Sequence, residues 1–358
     1  IVKGTVRTII DGADTSIDKF YGGNGGNQKS GSYTVVDAEG NEITKTGTVP
    51  LMKSTVGGVD ITVNNGKING FILASGAMYS DVEGDVNVVV NNGTIGVIEG
   101  GACGGNIGGN VNIAVNGGTV SSIAAGGCAS SIPPYKSTTG IVGGSTNVVI
   151  GGDAKVLGDV YGGGWSDGEA WRDTVKGDTT ITLKDNATVG GTLYGGSMGG
   201  TGTIEGSKNL NIGTAESAYN GTSALKVADF QKIGIVNGSA EFASYTQAAE
   251  GTLITISNGA LLTATVASAG QFSNTSVENG GSLVLKRGEL ADSAAVSFKD
   301  YTGSGKVSAF GGTFANGTFT AGRSSVASAG LTVGTGASDV QSVRFGDGAL
   351  SLDFDVST

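Results

Sequence analysis

Short apolar–polar alternations recur along the chain between clusters of Gly and Asn. They read Gly57-Gly58-Val59-Asp60-Ile61-Thr62-Val63, Gly84-Asp85-Val86-Asn87-Val88, Gly109-Asn110-Val111-Asn112-Ile113, Gly144-Ser145-Thr146-Asn147-Val148 and Gly177-Asp178-Thr179-Thr180-Ile181, with Gly4-Thr5-Val6-Arg7-Thr8-Ile9 as a further copy. A period of two marks a strand with one buried face. A turn follows each opening: Asn64-Asn65-Gly66, Asn91-Asn92-Gly93, Asn116-Gly117-Gly118 or Gly151-Gly152-Asp153. Asn and Gly tolerate the positive φ that a sharp corner needs. A second short strand comes next (Thr94-Ile95, Thr119-Val120, Thr188-Val189), then an apolar position leading into a Gly pair.

The units start about 54, 27, 25, 35, 33 and 29 residues apart. The shortest spacing suits one coil of a three-sided solenoid. Length varies after the Gly pair, so the insertions are expected at one corner, where repeat proteins place binding loops. The second half repeats more loosely, with Asn237-Gly238, Asn258-Gly259 and Asn279-Gly280 at 21-residue steps, each leading into a small residue and an apolar strand. Turns at Asn316-Gly317-Thr318 and Gly348-Ala349-Leu350 look similar but are out of phase.

The expected fold is therefore all-β, a right-handed parallel β-helix. It has on the order of 13 coils and, at ~4.8 Å per coil, a length of roughly 60 Å. Residues 1–206 form a Gly-rich part with 25–35-residue repeats; residues 207–358 continue the same rod with coils of about 21 residues. Stacking aligns equivalent positions, so Val and Ile form internal ladders, and buried Asn can ladder as well.

Composition narrows the alternatives. Gly makes up 67 of 358 residues, yet there is no Gly-X-Y period and only 3 Pro, which excludes collagen. Apolar residues are 38% and charged ones 15%, enough apolar surface for a core. A net charge of −10 gives no basic footprint for nucleic acid or anionic lipid. No apolar run approaches the ~18 residues of a membrane span. The chain opens Ile1-Val2-Lys3-Gly4 without a signal peptide, as expected of a mature or cut chain and equally of a cytosolic one. There is no His, which removes the commonest general base and metal ligand.

These repeats resemble the passenger region of bacterial autotransporters and related β-helical adhesins. The likeness lies in the Gly-Asp-Val-Asn-Val and Asn-Asn-Gly-Thr-Ile units. It extends to Asn258-Gly259-Ala260-Leu261-Leu262, Asn279-Gly280-Gly281-Ser282-Leu283-Val284-Leu285 and Gly346-Asp347-Gly348-Ala349-Leu350-Ser351-Leu352-Asp353-Phe354. It covers most of the chain, diffusely. It implies export to the cell surface and a role in attachment, self-association or biofilm formation. Such proteins end in an outer-membrane β-barrel with a terminal aromatic, whereas this chain ends Asp355-Val356-Ser357-Thr358, so the resemblance places the translocator outside this sequence. The expected partners are a host surface glycan or protein, or like molecules. No cofactor, resident metal, nucleic acid or membrane insertion of this segment is expected.

Several residues stand out. Cys103 and Cys128 lie one 25-residue coil apart at equal offsets from Gly84 and Gly109. Stacked positions fall within disulfide range, and export would oxidise them; a stacked pair of free thiols is the alternative. The longest insertions are Asn24–Lys53, Ser130–Gly143 and Trp165–Lys176, the last two in consecutive units. They carry Tyr135, Lys136, Trp165, Trp171 and Arg172, which either form a stacking and cation–π platform for a ligand or fold over one another to cover the corner. Asp167, Glu169 and Asp173 are read as solvated charge, since their spacing matches no Ca²⁺ loop. Tyr21, Tyr161 and Tyr194 recur before a Gly pair and are assigned to corner packing. A structural stalk and a carbohydrate-active β-helix enzyme are the other functions weighed. The enzyme would need convergent carboxylates, and the scattered acidic and Arg residues show no such pattern.

Overall fold

A computed structural model describes residues 2–23, 30–36, 42–48, 54–76, 80–101, 104–129, 139–166, 172–268, 270–288, 296–302, 305–309, 318–321, 331–333 and 342–345. Among these residues there is no helix, and two long sheets, of 16 and 14 strands, dominate. Pairing within both is parallel. The exception lies outside them, where Ser30–Val36 and Glu42–Thr48 form an antiparallel hairpin.

The alternating apolar pattern explains the register. Val111–Val115 pairs residue for residue with Val86–Val90 on one side and Thr146–Ile150 on the other. Val111, Ile113 and Val115 point inward and are buried; Asn112 and Ala114 face out and are half-buried. The next face is built by Thr94–Glu99, Thr119–Ala124 and their successors, whose inward Ile95, Val120, Val156 and Val189 stack in one column. Each fully buried aliphatic side chain contributes roughly 1.5–3 kcal/mol relative to exposure. A third run of short strands, Ser80–Val82, Asn106–Ile107, Thr139–Val142, Arg172–Val175 and Thr203–Ile204, stacks alongside.

Strand Ser54–Val63 joins two of these runs. Its first part pairs with Ser80–Val82 and its second with Val86–Val90, with Gly57-Gly58 between them. The larger sheet is thus two faces meeting at a bend. Successive passes of the chain through three faces, in parallel register and without barrel closure, are consistent with a β-solenoid.

The corners use three devices. At the Asn corner, Gly66, Gly93 and Gly118 adopt positive φ, and the amides of Asn64, Asn91 and Asn116 form a chain of 2.9 and 3.0 Å hydrogen bonds. At the bend before each long strand, a side chain accepts the N–H of its counterpart one pass later. Asn110 N–H donates to Asp85 Oδ1 (2.7 Å), Ser145 N–H to Asn110 Oδ1 (2.8 Å), Asp178 N–H to Ser145 Oγ (3.0 Å) and Ser207 N–H to Asp178 Oδ1 (2.7 Å). These bonds satisfy donors where the backbone leaves the ladder. The Gly-pair corner is the tightest: a Cβ on Gly164 would lie 1.8 Å from the Gly127 carbonyl oxygen.

Two expectations need correction. The Asn column of the long strands is not buried. Asn87, Asn112 and Asn147 occupy even, outward positions and link side chain to side chain at 2.8–2.9 Å, starting from Asp60. The reason is parity: neighbours of inward Val and Ile must point outward. The interior polar column is Thr instead, with Thr146 and Thr179 hydroxyls donating to the Gly162 and Gly195 carbonyls at 2.5 and 2.7 Å. In the later part Gly238 and Gly259 adopt positive φ, while Asn279 ends its strand with its Oδ1 accepting the Gly281 N–H at 3.0 Å, and the chain turns there into Ser282–Arg287. Second, Asp173 is fully buried, as described below. The later coils also fill their interior with aromatics: Tyr245 stacks on Phe272 at 4.9 Å, and Phe272 meets Phe298 at 5.2 Å.

Candidate functional site

The insertion corner begins at the Gly pairs. Cys128-Ala129 pairs in parallel with Trp165-Ser166, and Thr139–Val142 pairs with Arg172–Val175. The strand ends on either side of these two insertions are therefore adjacent at one corner. Trp165 is half-buried, its N–H donating to the Gly127 carbonyl at 2.8 Å, and it bridges in parallel to Met198, which is 36% exposed. Arg172 is exposed at the start of its strand. Tyr135, Lys136 and Trp171 lie outside the described residues, as do Asp167 and Glu169. Cys128 is buried and disulfide-bonded; Cys103, the one other Cys in the chain, also lies outside them.

The neck of the second insertion is clamped by Asp173, which is 0% exposed and not a solvated charge. Its Oδ1 accepts the Ser166 hydroxyl at 2.6 Å, and its Oδ2 accepts the Gly164 N–H and the Ser197 hydroxyl, both at 2.9 Å. The Asp173 N–H returns a 3.0 Å bond to Ser166 Oγ. Burial pushes this carboxyl above the ordinary range, while bonds from Ser166, Gly164 and Ser197 pull it down. A buried carboxylate with its acceptors occupied serves to fix backbone, since an unpaired one would be costly. The sequence shows an acidic residue next to Arg172. One of the partners of Asp173, Ser197, comes from the next coil, which local spacing could not reveal.

Along the outside of the second sheet, one column runs Leu73, Glu99, Ala124, Tyr161, Tyr194. Tyr161 and Tyr194 stack at 4.8 Å with rings 3° from parallel, and Tyr161 donates to Asp159 Oδ2 at 3.0 Å. Burial and this bond raise the Tyr161 phenol. Tyr21 stands apart from the pair, set edge-on to Phe71 at 5.5 Å. The Glu99 carboxyl makes no hydrogen bond or ion pair with the described residues, and burial pushes it up to about 7. Among the described residues no three His, Cys, Asp or Glu side chains group as a metal site. Comparison with known proteins finds no matching family model, no similar curated protein and no similar solved structure.

Proposed function

We propose that this chain is part of an exported bacterial surface adhesin, a right-handed β-helix of roughly 13 coils in one contiguous rod, which binds at its insertion corner. The supporting observation is the pair of adjacent insertion necks, the second locked by buried Asp173, beside half-buried Trp165, exposed Met198 and exposed Arg172. Aromatic and guanidinium groups on a rigid support suit recognition of a host glycan or protein by stacking and cation–π contacts. Self-association through the outer faces is the other form of the same role.

A stalk without its own ligand is favoured by one observation: outward Asp60, Asn87, Asn112 and Asn147 spend their polar groups on each other. Display of the chain on a non-adherent bacterium separates the readings. The adhesin reading expects attachment to glycan- or protein-coated surfaces, or clumping of the displaying cells. Neither effect, with the chain verified on the surface, leaves the stalk.

A further inference from the structure

Three surface clefts differ in what their polar groups do. The cleft near the first strand, about 340 Å³, contains Arg7, Asp60 and Asn87, which bond one another at 3.2 and 2.8 Å. A second, about 400 Å³, centres on Gln247 and Gln271, whose amides are engaged with backbone at 2.8 Å (Asn274 N–H) and 2.6 Å (Ala267 N–H). The third, about 290 Å³, lies on the outer face of the larger sheet around Gly234. There the side chains of Asn211 and Lys232 make no hydrogen bond or ion pair with the described residues.

Register shows how this notch arises. The outward column runs Thr182, Asn211, Gly234, Thr255, and its neighbour runs Thr180, Asn209, Lys232, Leu253. Gly234 is the one gap in this grid. Its backbone does not demand Gly: its φ is not in the left-handed region, and a Cβ would meet only Asn211 Oδ1 and Val236 Cγ2, both at 3.4 Å. Gly inside a strand weakens it and often marks a close approach of something else. The space left by the missing side chain is bordered by a free amide, a free ammonium, the Thr255 hydroxyl and the apolar edge of Leu253.

We propose that this notch binds an acidic saccharide unit of the uronate type. Asn211 offers a donor and an acceptor to adjacent ring hydroxyls, Leu253 and the bare Gly234 backbone receive the C–H face of the ring, and Lys232 meets the carboxylate. The inference rests on this face alone and stands whether or not the insertion corner binds anything.

The test is titration of the intact chain with an oligogalacturonide, followed by calorimetry, with a neutral malto-oligosaccharide as control. The acidic probe is expected to bind more tightly than the neutral one. Gly234→Thr, which fills the notch with a residue suited to strands, should weaken binding about tenfold or more while the thermal midpoint stays equal or rises. Lys232→Gln should abolish the preference for the acidic probe. Should Gly234→Thr fail to fold, Asn211→Leu replaces it and is expected to give the same loss. No binding by the intact chain, or binding unchanged in the folded variants, overturns the proposal.

Discussion

A single methyl group separates a coil that stacks from one that does not. On Gly164 it would overlap the Gly127 carbonyl, whereas on Gly4 it would meet nothing within 4 Å. Gly164→Ala is expected to lower stability by at least about 3 kcal/mol and Gly4→Ala to change it by less than about 0.5 kcal/mol, as read by urea denaturation. Both are equally plain Gly in the sequence; only the approach of a neighbouring coil distinguishes them. Glu99 is a second case. Burial pushes its carboxyl up to about 7, from an ordinary value of 4.5. The folded state thus holds its proton more tightly, and stability falls as pH rises between about 4.5 and 7. Glu99→Gln should match the parent at pH 4 and exceed it by about 1–3 kcal/mol at pH 8. An equal pH dependence in both would refute this assignment. Asp173 does not announce its burial in the sequence, because one of its partners, Ser197, comes from the next coil.

Strands were the readable elements. The Val-x-Val and Ile-x-Val alternations mark inward positions, and Ile113, Val148 and Ile181 occupy them. Asn-Gly clusters mark the corners, including Asn279-Gly280 between Thr275–Asn279 and Ser282–Arg287. The side-chain links between coils were less visible, since each joins residues 25 to 35 positions apart. Asn112 shows their weight: its amide donates to Asn87 and accepts from Asn147, both at 2.9 Å, in a half-buried setting. Asn112→Ala is expected to cost about 1–2 kcal/mol, two modest hydrogen bonds. Ile113→Ala, one position on but fully inside, should cost about 2–5 kcal/mol. A reversed ranking in denaturant titrations would mean that the face assignment of this strand is wrong.

For the molecule as a whole, stacking divides the labour. The interior is a continuous apolar column, the flat faces are tied by polar chains, and the two proposed recognition places are the insertion corner around Trp165 and the notch at Gly234. The first was visible in the sequence as excess length after a Gly pair. The second was not, because one Gly among 67 carries no signal until its neighbours across the sheet are known. The most direct test is a glycan and host-protein binding array probed with the intact chain beside a Trp165→Ala/Trp171→Ala variant, with sedimentation run in parallel. The account predicts specific binding by the intact chain that the double variant loses while remaining folded. Binding kept by the variant would remove the corner as the receptor site, and no binding together with no self-association would contradict an adhesive role and leave a stalk.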